Sequence, residues 1–370
     1  MMKKQMKLNT YSFLIAILVF TSAETLWGQV KDKRVDQTFT VNSSTRLVID
    51  NKFGKVHINT WDQNKIEVQV MIEVDGSDQT ARDILDRIEI DISESSSEIR
   101  IETDIAESRI KNRNQRFEIN YTVKMPKNNP LRVDHRHGDV YLDNLDGTLD
   151  LDLAHGQIVA EELNGESRIS LQHGNGGRIA AIGSGSLDIQ HYQRLRIGRM
   201  GSMDVKIAHA SIEVEETGDL DIEVQHSNVD LGSAGALNLN MQHSKLEAES
   251  LTSIRSDMQH SSLDVEKLQR LLEIDCNHSQ VDIDRISKGF STVNFDGDHS
   301  YLGLGMESGA SATLDIELQH GKLQYPESLI NMSHVNIEDQ RREYQGKIGN
   351  GTTGQIEVDA NFTDVSIEIN

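Results

Sequence analysis

Eleven of the fourteen histidines in this 370-residue chain recur at an almost constant interval. His137, His155, His173, His191, His209, His226, His243, His260, His278, His299 and His320 are spaced by 18, 18, 18, 18, 17, 17, 17, 18, 21 and 21 residues. A fixed period of this length marks a repeat architecture and excludes a core assembled from unrelated elements. Around each histidine the sequence reads apolar, polar, apolar, Gln or Ala, His, Gly or Ser, any, apolar, any, apolar. Leu-Asn-Met-Gln-His-Ser-Lys-Leu-Glu-Ala at 239–248 shows the pattern, and 316–325 repeats it. Alternation at period 2 means strands with one buried face. A unit of 17 or 18 residues is too short for a four-stranded blade, so each unit must be one coil of a solenoid.

The expected fold is therefore all-β, a parallel β-solenoid. Each coil carries two short strands joined at the His-Gly/Ser corner. A second turn, such as Leu163-Asn164-Gly165-Glu166 or Glu216-Thr217-Gly218-Asp219, closes it. Coils stacked at about 4.8 Å make a rod on the order of 50 Å long. The left-handed hexapeptide form is disfavoured because apolar residues do not recur at every sixth position. The calcium-binding nonapeptide roll is excluded because Gly-Gly-x-Gly-x-Asp never occurs.

Outside the repeat the chain divides into a leader over residues 1–28, a β-rich entry region over 29–130, and the repeat with its closing coils over 131–370. The leader has basic Lys3, Lys4 and Lys7, an apolar run Tyr11–Phe20, and small residues before Gly28, the order of a secretory signal peptide. Cleavage is expected after Gly28, with Ala23 as the alternative. The run is shorter than the roughly 20 residues a permanent span needs, and no cysteine follows it to be acylated. In the entry region, alternating strands are expected at Arg46–Asp50, Val56–Thr60, Lys65–Val74, Ile88–Ile92, Glu98–Thr103 and Phe117–Met125. A short helix over 78–87, with Asp78 as N-cap, interrupts them. Ser108–Arg116 reads as an exposed loop. No linker is long enough to separate independent domains.

With 59 Asp and Glu against 37 Lys and Arg, the net charge is −22. A nucleic-acid partner is excluded, since such binding depends on cationic groups that release counterions. A single cysteine, Cys276, leaves no internal disulfide and no cysteine-based metal site. Cys276 falls on an inward position two residues before His278 and reads as a buried, inert thiol.

Several segments carry a resemblance. Asp50-Asn51-Lys52-Phe53-Gly54-Lys55-Val56-His57-Ile58-Asn59-Thr60-Trp61-Asp62 and the strand Lys65–Glu73 resemble the opening of the bacterial putative-adhesin family of β-strand repeat proteins, which are auto-transporter-adhesin-like solenoids. Tyr121-Thr122-Val123-Lys124-Met125-Pro126 is similar to the strand entering that family's repeat. His137-Gly138-Asp139-Val140 resembles its recurring corner, and Tyr344-Gln345-Gly346-Lys347-Ile348-Gly349 its closing coil. The resemblance implies a right-handed solenoid exported in bacteria, with no established ligand. This chain departs from the family in placing His where the family has Ser, Asn, Phe or Tyr.

Two readings of the histidine column stand open. Stacked imidazoles could share Zn²⁺ or Cu²⁺ between neighbours such as His209, His226, His243, His260 and His278. Alternatively all eleven rings form a structural ladder, directed inward in line with the buried Leu, Val or Met two residues earlier. Phe53 in the first coil and Phe362 in the last occupy the aligned position and cannot bind metal, which favours the ladder. Glu213, Asp230, Glu247, Asp264 and Asp282 each lie four residues after a repeat histidine and form an acidic column. Carboxylates about 4.8 Å apart in water repel by roughly 0.9 kcal/mol per pair, so the column is either a solvated face or a surface for weak Ca²⁺ or a cationic partner. Gln172, Gln190, Gln225, Gln242, Gln259 and Gln319 suggest an amide ladder beside it.

Catalysis is not expected. Every histidine has the same neighbours, whereas a catalytic site is one unrepeated constellation. Gly183-Ser184-Gly185-Ser186 lacks the spacing of a nucleophile elbow, and Gly174-Asn175-Gly176-Gly177 precedes no helix that could hold phosphate. The reading is an exported, non-enzymatic cell-envelope solenoid without a cofactor. It is expected in the periplasm, on the outer surface or secreted, acting in adhesion or on envelope or extracellular macromolecules. The alternative is a metal-binding or pH-responsive envelope protein using the histidines.

Overall fold

The structure, a computed structural model, describes residues 30–106 and 116–370. The leader expected over 1–28 lies outside the described residues. So does the loop expected over Ser108–Arg116, except for Arg116, where a strand begins. The described chain contains 29 strands and one helix, and the strands join in one continuous hydrogen-bonded system. None of its helices is long and apolar enough to cross a membrane.

The fold is a β-solenoid. Each coil gives one strand running into the histidine corner, here the leading sheet, and one leaving it, the trailing sheet. Leading strands such as Leu131–Arg136, Leu149–Ala154 and Leu220–Gln225 stack in parallel, with Leu151 beside Val133 on one side and Ile169 on the other. Trailing strands such as Gln193–Met200 and Ser211–Thr217 do the same, with Ile212 between Leu195 and Val229. Ile158–Gln172 and Asn228–Gln242 each run around the far corner as one strand, the first with a register shift between Leu163 and Glu166. Alternate residues of both sheets point inward, and the buried Leu, Ile and Val form one core along the rod. The far corner brings backbones close: a Cβ on Gly165 would lie 2.1 Å from the Gly147 carbonyl oxygen, so only glycine fits.

The N-terminal end is closed by a change of direction. Arg46–Asn51 and Val56–Trp61 stack on the first repeat coil, and Glu98–Ile105 and Arg116–Pro126 stack outside them, all in parallel. Beyond these, Ile88–Glu94, Lys65–Asp75 and Val30–Thr40 run antiparallel to their neighbours. The helix Asp78–Leu85 packs against the last two. Its N-cap is Ser77, whose hydroxyl accepts from the Thr80 N–H, and not the expected Asp78. Asp78 falls instead in the first turn, where a carboxylate meets the helix's positive end.

At the C-terminal end, sequence order and stacking order part. Gly354–Asn361 is inserted between Thr292–Asp298 and Ala312–Gln319, and Asp364–Ile369 between Tyr301–Met306 and Leu323–Gln324. Phe362 therefore does not belong to the outermost coil, as its late position in the sequence suggests. The leading sheet continues through Arg341–Ile348 and Ile330–Glu338, both antiparallel to their neighbours.

Candidate functional site

Each of the eleven repeat histidines has a positive φ, between 49° and 62°. Histidine enters this left-handed region more readily than most residues, and one such residue turns the chain out of its alternation. The inward orientation expected from period 2 is thus corrected, because the left-handed residue turns its side chain outward and all eleven imidazoles are exposed. Their backbones still serve the ladder: the His155 N–H donates to the Gln172 carbonyl at 2.9 Å and His243 to Gln259 at 3.0 Å.

The rings form a column on the outside of the corner. From His137 to His299 neighbouring centroids are 4.8–5.0 Å apart, the strand spacing, and the planes lie within 10° of parallel except at His260–His278, tilted by 39°. Phe53 stacks on His137 at 5.4 Å, and Phe362 lies between His299 and His320 at 4.6 and 4.3 Å. In parallel rings the in-plane nitrogen lone pairs run side by side and do not converge. Two neighbours such as His226 and His243 can share an ion only by leaving the stack. Among the described residues no group of three or more His, Cys, Asp or Glu is placed to hold a metal ion. Burial, followed by the charges of His155 and Arg136, holds His137 below the usual histidine range.

Behind the rings runs a column that sequence reasoning did not single out. The residue after the histidine is Ser227, Ser244, Ser261, Ser279 and Ser300 in successive coils, and Thr363 follows Phe362 at the equivalent position of the next. Each hydroxyl donates to the carbonyl two residues earlier in its own coil: Ser227 to Gln225 at 2.6 Å, Ser244 to Gln242 at 2.7 Å. Each also accepts from the backbone of the preceding coil: Ala210 N–H to Ser227 at 3.0 Å, Ser227 to Ser244 at 3.1 Å, Ser244 to Ser261 at 3.2 Å, ending at Thr363. These hydroxyls satisfy corner N–H groups that no strand partner reaches. In the earlier coils the position is Gly138, Gly156 and Gly174, and there the coils approach so closely that a Cβ on Gly156 would lie 1.8 Å from the Gly138 carbonyl oxygen. The unbroken run of Ser after five successive histidines, from Ser227 to Ser300, was the available signal.

A buried polar cluster near the N-terminal end was also missed. His135 occupies an inward position that Leu153 and Leu171 hold in the following coils, and its Nδ1 and Nε2 lie 3.1 and 3.0 Å from the carbonyl oxygens of Asn51 and Gly54. Asn51 donates to the carbonyls of Phe53 and Ile119, and Thr103 links it to the Tyr121 hydroxyl. Only an imidazolium could donate to both carbonyls. Burial opposes that charge more strongly, so the His135 pKa lies below the usual value. Cys276 is buried, and burial pushes its thiol up to about 11.

The outer faces carry charge in register. Glu213, Asp230, Glu247, Asp264 and Asp282 are direct neighbours across five trailing strands. Two residues further along the same strands lie Glu215, Glu249, Glu266 and Asp284, a second acidic row that the same alternation contains. Between the rows is a groove of about 680 Å³. Lys245 bridges Glu247 and Asp264, and Arg196 pairs with Glu213 at 2.8 Å. Burial and then repulsion from Glu247 and Glu213 raise the pKa of Asp230. The leading face has a matching groove of about 780 Å³, walled on one side by Glu223, Asn240, Asp257, Asp275 and Asp296. Of the glutamine column, Gln225, Gln242 and Gln259 are in register while Ala208 separates Gln190 from Gln225, and the amides of Gln172, Gln190 and Gln225 turn along their own strands, Gln225 to Glu223 at 2.8 Å. They do not form the expected amide ladder between coils.

No family model matches the chain, and no curated protein matches it. Among solved structures it is similar to a putative cell adhesion protein from Clostridium sporogenes, at 9% identity over 92% of this chain and 100% of that one, with a TM-score of 0.21. It is also similar to a putative adhesin from Bacteroides fragilis, at 12% identity over 63% of this chain and 97% of that one, with a TM-score of 0.31.

Proposed function

We propose that the protein is an exported, non-enzymatic solenoid that binds envelope or extracellular macromolecules along its grooved acidic faces, in adhesion or a related contact. The observation that carries this reading is repetition: Glu213, Asp230, Glu247, Asp264 and Asp282 present one carboxylate per coil, in register, over five coils. Such a face suits a long, repetitive partner with cationic or hydrogen-bond-donating groups and offers no single point for chemistry. The leader-like residues 1–28 support export, and the opening and corner motifs support kinship with the putative-adhesin repeat proteins.

The test pairs localisation with binding. Protein from the native host should begin near Gln29 or Glu24 and be found outside the cytoplasm. Binding to host-envelope or matrix fractions should weaken with salt and fall at least about tenfold when the five column residues become Gln or Asn. Intact Met1 in the cytoplasmic fraction, or binding indifferent to both salt and substitution, would overturn it.

A further inference from the structure

The leading sheet outlasts the trailing sheet at the C-terminal end. Past Ala312–Gln319 it adds Arg341–Ile348 and Ile330–Glu338, while the trailing sheet stops at Leu323–Gln324. Tyr344 registers with the core residue Ile316 and so lies on the core-side face. Val335 pairs with Tyr344 and Ile337 with Arg342, which places Val335 and Ile337 on that same face. With no trailing strand opposite them they are 46% and 59% exposed.

Ile330–Glu338 is also a free edge. Among the described residues it pairs with Arg341–Ile348 and with no other strand. Edges offer unpaired N–H and C=O groups, and proteins usually guard them with charge. The N-terminal edge strands follow that rule: Val30–Thr40 carries Lys31, Asp32, Lys33, Arg34 and Asp36, and Ile88–Glu94 carries Glu89, Asp91 and Glu94. The run Val335-Asn336-Ile337 carries none.

We propose that this edge pairs antiparallel with the same edge of a second copy of the chain, about a two-fold axis at Asn336. In that register Val335 faces Ile337 of the second copy and Ile337 faces Val335, so the exposed apolar side chains meet. His334 faces Glu338, a donor against a carboxylate, and Asn336 faces its own counterpart. Moving the axis to Val335 sets Ile337 against Ser333, and moving it to Ile337 sets Val335 against Asp339, so neighbouring registers lose the match. The paired run spans His334 to Glu338. It is bounded by the bulge between Met332 and His334 and by the turn at Asp339, where φ is 49°. Main-chain bonds supply the pairing and alternate side chains its specificity. An interface of this size belongs to the weak class.

Sedimentation equilibrium of the purified protein is expected to show a monomer–dimer equilibrium. V335K and I337K should each weaken it at least about tenfold, and H334E, which opposes two carboxylates in both pairs, should do likewise. The swapped variant H334E/E338K should recover dimerisation to within about threefold of the original. Mild oxidation of N336C should give a disulfide-linked dimer, and Cys276, being buried, should not. Far-ultraviolet dichroism checks that each variant is folded, and the N336C result does not depend on the others. A protein that remains monomeric to about 0.5 mM, or a dimer that survives V335K, or failure of the swap to restore pairing, would overturn the proposal.

Discussion

Replacing His243 separates the two forces acting at the corner. Its ring lies 4.9 Å from those of His226 and His260, 3° from parallel with each, and its backbone has φ of 50°. Aromatic pairs are worth about 0.5–1.5 kcal/mol each, with exposed pairs at the low end, so losing both stacks costs about 1 kcal/mol. The left-handed backbone costs an ordinary residue roughly 1–2 kcal/mol, a strain that alanine keeps and glycine relieves. Glycine returns about 0.5–1 kcal/mol of that gain as chain entropy. His243→Ala should therefore destabilise by about 1.5–2 kcal/mol and His243→Gly by only about 0.5 kcal/mol. His243→Phe should stay within about 1 kcal/mol, since it keeps the stack and Phe362 already holds φ of 48° in the same column. His243→Asp should fall between Gly and Ala, because the position is solvated and Asp tolerates this backbone. Urea titration followed by far-ultraviolet dichroism, with exchange of the His243 amide as a local probe, reads all four. Alanine as stable as glycine would refute the backbone argument, and a penalty for Asp above about 3 kcal/mol would mean that the position is not solvated.

Ser244→Ala removes the acceptor of the buried Ser227 N–H and should cost about 1–3 kcal/mol, against less than about 0.5 kcal/mol for Ser250→Ala, whose hydroxyl lies in no such column; equal unfolding midpoints would show that the serine column carries nothing. Ser256 is buried between Leu239 and Ile274 with its hydroxyl unpaired, so Ser256→Val should raise the unfolding free energy from urea titration by about 1–2 kcal/mol, and a lowered midpoint would mean the core has no room. His135, with its pKa held below 6.5, lends stability that is complete above pH 6.5 and is lost as pH falls toward the folded value, because there the unfolded chain takes a proton that the folded chain refuses. The pH dependence of the urea midpoint below 6.5 should then be shallower in His135→Leu than in the original, and parallel curves would refute the assignment.

The solenoid was legible because its cause is local and repeated. Period-2 alternation fixes which residues are inward, and the 17 to 18 residue interval fixes the coil. The direction of the histidines was not legible, since one left-handed residue inverts what alternation implies, and no feature of Gln-His-Ser announces φ near 50° as glycine would. The serine column was hidden for a related reason: a serine after a corner looks like ordinary turn chemistry until the next coil is seen to present its N–H to the hydroxyl. His135 was masked by the rhythm of its eleven neighbours. Placement of Gly354–Asn361 ahead of Ala312–Gln319 depends on contacts distant in sequence, which periodicity cannot order.

That displaced placement sets how the rod can be completed. From Leu131 to Met306 each coil needs only the coil before it, so a chain delivered from its N-terminus can lay down its turns as they arrive. Ala312–Gln319 cannot follow in the same way, because the strand it docks on, Gly354–Asn361, comes later in the sequence. Leu314, Ile316 and Leu318 must wait, and the segment from Met306 to Gly354 must close as a loop, an entropic cost that no coil between Leu149 and Met306 bears. During the wait the outer edge of Thr292–Asp298 stands open, with Val293 and Phe295 at the uncapped end of the core. Synthesis halted before Gly354 would leave that end open for good, which makes the last step of folding also the one that protects the molecule from aggregation.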